Sequence, residues 1–181
     1  MRHILSIILL CCTATLAQAE GLSDAEIQKW TKAYQAIVSW AEKEHIEDEL
    51  DANTQSTEYS RVFSQMMEQT RTNKHYNALV EVLDDNGYSD PNKWSATGDR
   101  IMTAYMANEM AGNEAEVEQQ LKQVQSMMAS GMMPAEQKAM MEQMLQESSK
   151  ALKAAKQAPE GDKQAVKRNQ PLLESVFGAQ D

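Results

Sequence analysis

Apolar residues recur at steps of three and four along most of the chain, which is the spacing of one face of an α-helix. The sequence shows no extended alternation of apolar and polar residues of the kind that forms a β-strand. The first helix is predicted to begin after Ser23, because Ser23 and Glu26 have the spacing of a capping box. Its apolar stripe consists of Ile27, Trp30, Tyr34, Ile37 and Ala41.

Three further helices are predicted before the most regular part of the sequence. The first covers about residues 57–69, and the second covers about 73–86. Gly87 follows the second helix, and glycine suits the left-handed position that ends many helices. The third is predicted to start at Asp90 and Pro91, since aspartate caps a helix and proline suits its first turn.

Residues 113–158 carry the most regular pattern and predict an antiparallel helical hairpin with a coiled-coil-like seam. A break at residues 130–134, Ser-Gly-Met-Met-Pro, separates two apolar stripes whose members step by three and four. The stripes consist of Val117, Leu121, Val124 and Met128 before the break, and of Met141, Leu145, Ser148, Leu152 and Ala155 after it.

Together these patterns predict an all-α fold, a single bundle-like domain of five to six helices that includes the methionine-rich hairpin. Residues 20–112 are expected to form an acidic N-terminal helical part, and residues 113–158 the hairpin. Residues 159–181 are expected to form a C-terminal tail with one short docking helix. A chain of this length can bury a core of its own.

Residues 1–19 have the three parts of a secretory signal peptide. A basic start precedes an apolar stretch over residues 4–16, and Ala-Gln-Ala follows at 17–19. The apolar stretch is shorter than the roughly 20 residues that span a bilayer. We therefore expect cleavage of the leader, no membrane insertion afterwards, and a mature chain in the periplasm or secreted. Cys11 and Cys12 lie in the leader, so the mature chain has neither disulfides nor thiolate metal ligands.

The chain is acidic, with a formal net charge of −10 at pH 7. Loss of Arg2 with the leader would make the mature chain more negative by one charge. Such a chain repels phosphate backbones and anionic headgroups, so neither nucleic acid nor a membrane surface is expected as a partner. A protein partner remains compatible with this charge, and the oligomeric state is left open.

Familiar catalytic and cofactor-binding signatures are missing from the sequence, including the nucleophile elbow, the zinc-protease helix and the glycine-rich phosphate loops. The mature chain has two histidines, His45 and His75, and no spacing ties either to a triad or a zinc site. The sequence therefore predicts no enzyme and no cofactor. A pocket that combined one of these histidines with carboxylates would favour catalysis instead.

Methionines are the anomaly in the composition, because seven of the chain's 13 fall within residues 127–144. One interpretation is packing, since methionine favours helices and fills irregular gaps in cores. A second interpretation is a soft-metal site for Cu(I) or Ag(I), which thioethers bind. Met140, Met141 and Met144 are the metal ligands that this second interpretation requires.

The third interpretation is a partner-binding surface, because exposed methionines adapt to many apolar shapes. Met127, Met128, Met132 and Met133 are its residues, and Trp40 joins them because it falls off the first helix's stripe. In composition the chain resembles the small helical periplasmic chaperones of envelope stress, although it lacks their L-T-x-x-Q type repeats. The sequence thus favours a protein-binding or chaperone-like module, with soft-metal binding as the alternative.

Overall fold

A computed structural model describes residues 21–46, 58–129 and 135–177. Within those ranges the chain forms helices and turns, and it contains no β-strand. The expected signal peptide at 1–19 lies outside the described residues, as do Met132 and Met133 in the expected hairpin turn. No helix in the described ranges is both long enough and apolar enough to cross a membrane.

The structure confirms the predicted all-α class. The described residues form eight α-helices and one 3-10 turn, which is more than the five to six helices expected. The elements are α1 (Asp24–Glu44), the 3-10 turn (Tyr59–Arg61), α2 (Val62–Thr70), α3 (Tyr76–Asp85), α4 (Pro91–Glu109), α5 (Glu114–Ala129), α6 (Ala135–Gln157), α7 (Glu160–Arg168) and α8 (Gln170–Phe177).

The predicted helix boundaries are confirmed at three places. Ser23 Oγ accepts from the Glu26 backbone N–H at 3.2 Å, and the Ser23 N–H donates to Glu26 Oε2 at 2.8 Å, which completes the capping box. Gly87 has a φ of +84°, in the left-handed region. Asp90 Oδ1 accepts from the Asn92 backbone N–H at 3.0 Å and caps α4.

Helix α7 was not predicted, and its composition explains why. Its buried residues are Asp162, Ala165 and Val166, so only two apolar side chains mark its inner face. A helical period needs more apolar positions than two before it becomes visible in a sequence. The tail therefore contains two helices, α7 and α8, in place of the single short one expected.

The core forms where α4 crosses the other helices, since α4 contacts α1, α2, α3, α6 and α7. Trp30 of α1 and Trp94 of α4 stack with ring centroids 5.7 Å apart, and the Trp30 indole N–H donates to the Trp94 carbonyl at 3.0 Å. Phe63 of α2 packs its edge against both rings. Gly98 of α4 lies directly against this aromatic cluster.

A buried polar contact connects the two ends of the described chain. Asp162 of α7 is fully buried and accepts the Leu22 backbone N–H at 2.7 Å. The same carboxylate accepts from Arg100 Nε at 3.0 Å and from Arg100 Nη2 at 2.8 Å. Both oxygens of the buried carboxylate therefore accept hydrogen bonds, as burial of a charge requires. The contact fixes α7 against both α1 and α4.

Candidate functional site

Helices α5 and α6 form the part of the described structure that is least covered by other elements. The main contacts of α5 are with α6, whereas α6 also contacts α4 and the 3-10 turn. Met128 is the buried residue of α5, and the stripe residues Val117, Leu121 and Val124 are half-buried. Two helices alone leave the flanks of their shared apolar seam open to solvent, and such flanks suit a binding site.

The C-terminal half of α6 attaches this pair to the body. Ala155 of α6 and Ala158, the residue after its C-terminal end, cluster with Ala107 of α4, and Met110 packs against the same cluster. Small side chains allow the two helices to approach closely there. The same side of α6 continues into the N-terminal half of the helix, where methionines replace the alanines. Met140 and Met144 on that side are exposed to solvent.

Three of the clustered methionines are strongly exposed. Met127 has a relative exposure of 52%, Met140 of 69% and Met144 of 54%. Met128, in contrast, is buried, and Met141 is half-buried on the side of α6 that carries Leu145. Packing thus accounts for part of the cluster, while Met127, Met140 and Met144 form what we call the methionine surface.

A groove made of separate depressions runs along the pair and ends against α7. It consists of three adjoining depressions of about 520, 490 and 370 Å³. The first and second share Leu152 and Lys156, and the second and third share Gln125, Leu145 and Ser149. We call it the lysine groove, because it is lined by Lys122, Lys138, Lys153, Lys156, Lys163 and Lys167.

The methionine surface and the lysine groove lie on different sides of the pair. Met140 and Met144 each follow a groove-lining residue, Lys138 and Glu142, by two positions. Met127 likewise follows the groove residue Gln125 by two positions. Two positions along an α-helix correspond to a rotation of about 200°, which places the two side chains on opposite faces.

Ion pairs neutralise part of the groove. Lys156 binds Glu118 and Lys163 binds Glu160 at 2.6 Å, and each hydrogen bond lowers the pKa of its carboxyl group. Lys138 and Glu142 form a weaker pair at 3.8 Å. The groove could not be predicted from the sequence, because its lysines come from three helices. A signal was present, since residues 113–181 hold 8 bases and 10 acids while 20–112 hold 8 and 17.

Trp40 lies apart from the methionine surface. It is half-buried at the edge of the main core, and its ring centroid is 6.3 Å from that of His75. His45 is exposed and takes the left-handed position after α1, with a φ of 54°. Neither histidine lines the lysine groove. Within the described residues, no group of three or more histidine, cysteine, aspartate and glutamate side chains could hold a metal ion.

Comparison with known protein families, with curated proteins and with solved structures finds no match to this chain. No relative therefore supplies a binding partner, a reaction or a set of functional residues. The chemical character of the α5–α6 pair is the basis on which a function can be argued, through its exposed methionines and its lysine-lined groove.

Proposed function

We propose that this chain is a non-catalytic protein-binding module that holds apolar segments of other polypeptides, in the manner of a chaperone. The observation that supports the proposal is the exposure of Met127, Met140 and Met144 on the least covered pair of helices. The remaining large apolar side chain that is similarly exposed within the described ranges is Val38, at 37%. Flexible thioether side chains adapt to varied apolar partners, which suits a surface without a single fixed ligand.

We also propose that α5 and α6 form the antiparallel hairpin expected from the sequence. Support comes from their mutual contacts and from the five residues, 130–134, that separate Ala129 from Ala135. So short a connection favours antiparallel neighbours. Met132 and Met133 belong to that connection and would then extend the methionine surface at its end.

The proposed setting for this activity is the periplasm or the extracellular space. The signal-peptide pattern of residues 1–19 and the absence of cysteine from residues 20–181 support it. N-terminal sequencing of the exported protein should begin at Glu20. Recovery of the product with its leader intact in the cytoplasm would contradict this part of the proposal.

An aggregation assay tests the proposed binding activity. We expect the mature protein, at modest molar excess, to slow the aggregation of a chemically unfolded client. The variant Met127→Ser/Met140→Ser/Met144→Ser should lose most of this effect, because serine removes the apolar contact area. Its stability should change little, since all three side chains are exposed.

The matched control is Val38→Ser, which removes an exposed apolar side chain from α1 instead. This variant should slow aggregation as well as the wild type does. Equal activity of the wild type and the triple serine variant would contradict the proposal, as would an absence of activity in the wild type.

Binding of a soft metal ion is the second candidate function. Met140 and Met144 are one helical turn apart on α6, and both side chains are exposed. Thioether sulfurs are soft ligands that favour Cu(I) and Ag(I). Met141, the third residue expected at this site, is half-buried beside them. The close spacing of these three thioethers favours the metal hypothesis. They supply neither a nitrogen nor a thiolate ligand.

Leucine substitutions separate the two functions, because leucine retains apolar area and lacks a ligand atom. Met140→Leu/Met141→Leu/Met144→Leu should abolish tight binding of Cu(I) in a titration under reducing conditions if the metal hypothesis holds. The same variant should still slow aggregation if protein binding is the function. Equal Cu(I) affinity of the wild type and this leucine variant would contradict the metal hypothesis.

A further inference from the structure

We propose that the lysine groove is a second binding site, which takes an acidic amphipathic α-helix of a partner protein. The groove lies on the opposite side of the α5–α6 pair from the methionine surface, so the inference does not rest on the function proposed above. Three properties of the groove support it, namely an apolar floor, an elongated shape and an excess of positive charge.

The floor of the groove is the uncovered flank of the seam between α5 and α6. Leu121 and Met128 contribute from α5, and Leu145 and Leu152 contribute from α6. Leu121 and Leu145 remain half-buried in the described structure. A third helix laid along the seam would complete the coverage of these side chains, as in a three-helix arrangement with knobs-into-holes packing. Helix-in-groove binding of this kind uses apolar residues spaced by three and four.

The length of the groove suits a helix of several turns. The lining residues of α6 extend from Lys138 to Gln157. At 1.5 Å per residue this separation corresponds to about 29 Å, which is the length of a helix of roughly 19 residues. A compact small-molecule ligand would fill only one of the three adjoining depressions.

The charge of the groove is opposite to that of the chain as a whole. Among the residues that the structure describes, six lysines and four glutamates line it, which gives an excess of two positive charges on a chain of net charge −10. The glutamates are already engaged, since three pair with lysines and Glu114 accepts the Gly112 backbone N–H at 3.0 Å. No ion pair is found for Lys122, Lys153 or Lys167 within the described ranges.

Those three lysines determine what the groove selects. Carboxylates on the flanks of an incoming helix would meet these ammonium groups, of which Lys122 acts on Glu118 only at longer range, and such contacts steer association and fix the orientation of the helix. A groove-to-groove contact with a second copy of this chain would instead oppose lysines to lysines, which is unfavourable. Charge complementarity therefore favours an acidic helix as the occupant and disfavours a dimer in which two such grooves face each other.

A pair of synthetic peptides provides the test. Both are labelled 21-residue helices with leucines at steps of three and four, and they carry either glutamates or lysines at the flanking positions. We expect the full mature protein to bind the glutamate peptide in fluorescence anisotropy, and to bind the lysine peptide at least tenfold more weakly. Raising the salt concentration should weaken the binding of the glutamate peptide.

Matched variants locate the binding. Lys122→Glu/Lys153→Glu should weaken the binding of the glutamate peptide at least tenfold, whereas Lys150→Glu, an exposed lysine of α6 outside the groove, should change it less than twofold. Met127→Ser/Met140→Ser/Met144→Ser should leave it unchanged, so failure of this inference and failure of the proposed function are distinguishable. Circular dichroism and thermal unfolding check that each variant is folded.

Several outcomes would overturn the inference. Absence of binding, equal binding of the two peptides, or equal loss in the Lys150→Glu control would each do so. If the double lysine variant does not fold, the salt dependence of the wild type provides the test instead. An affinity for the glutamate peptide that does not change with salt concentration would then overturn the inference. Sedimentation that shows a dimer, dissociated by the double lysine variant without any peptide, would assign the groove to a second copy of this chain.

Discussion

At the scale of single residues, Gly98 shows how tightly the core of this molecule is packed. A Cβ atom at this position would lie 2.6 Å from Phe63 Cδ2 and 2.8 Å from Trp30 Cζ2. The Trp30 ring is itself stacked on Trp94 and cannot move away freely. An absent side chain on α4 therefore allows the aromatic cluster to form.

The first prediction concerns this glycine. Gly98→Ala should lower the free energy of unfolding by about 2 kcal/mol, because overpacking outweighs the better helix propensity of alanine. Gly161→Ala is the matched control, since its added Cβ would meet only Gly21 Cα at 3.5 Å. Urea unfolding of both variants checks the prediction. A loss in Gly161→Ala as large as that in Gly98→Ala would contradict this account of the core.

The second prediction concerns pH and Asp99, which is buried on α4 and accepts the backbone N–H groups of Phe63 at 2.9 Å and Ser64 at 3.3 Å. Burial raises the pKa of Asp99 above its ordinary value, although these hydrogen bonds oppose the shift. The folded state then holds the proton more tightly than the unfolded state. The contribution of this group to stability consequently falls as pH rises from the unfolded-state pKa, about 4, through the raised folded-state pKa.

Asp99→Asn isolates this effect. Asparagine keeps an acceptor oxygen for the backbone N–H groups at the start of α2, and its side chain does not titrate. We expect the unfolding free energy of the wild type, relative to that of the variant, to decrease as pH rises through that window. Carboxyl groups with lowered pKa values, such as Glu26, are common to both proteins and cancel in the difference. A difference that stays constant or grows with pH would refute the assignment.

Residues in regular local patterns could be predicted from the sequence, and residues that depend on distant partners could not. The capping box at Ser23 and the left-handed Gly87 follow from spacing alone. Burial of Asp162 depends on Arg100, 62 positions away, and on the Leu22 N–H, 140 positions away. No local pattern carries that information.

At the scale of elements, the attachment of α7 depends on one buried carboxylate. Asp162→Ala should lower the free energy of unfolding by about 2 kcal/mol, because it leaves the buried Leu22 N–H without its acceptor. Glu68→Ala, which removes an exposed partner of Arg61, should cost much less. Thermal unfolding of the two variants compares them. Equal losses would show that the Asp162 contact does not fix α7.

The fourth prediction concerns α5, whose main contacts are with α6 alone. Local opening needs less free energy where fewer buried contacts are broken. Native-state hydrogen exchange should therefore show faster exchange in the middle of α5 than in the middle of α4, which contacts five other helices. Equal protection of the two helices would contradict the view that α5 is weakly attached.

The sequence predicted elements well where an apolar stripe is long and poorly where it is short. The stripes of α1, α5 and α6 contain four or more members each, and all three helices are present. Helix α7 buries Ala165 and Val166 as its apolar residues and was missed. The predicted third helix, about 73–86, begins later than expected, at Tyr76.

At the scale of the whole molecule, the described helices divide into a packed body and a less covered pair. The body contains the aromatic cluster around Trp30 and the buried contact of Asp162. The pair, α5 and α6, presents the methionine surface on one side and the lysine groove on the other. Apolar periodicity was sufficient to predict the two helices. The exposure of their methionines could not be predicted in this way, because it depends on which sides of α5 and α6 are left uncovered by other helices.

Photo-crosslinking tests most directly the claim that the methionine surface binds other polypeptides. One protein carries p-benzoylphenylalanine in place of Met140, and a second carries it in place of Val38 on α1, an exposed apolar site of the body. Irradiation with a permanently unfolded, alkylated polypeptide should crosslink the first protein strongly and the second weakly. Equal crosslinking of the two proteins, or crosslinking from the α1 position alone, would contradict the claim.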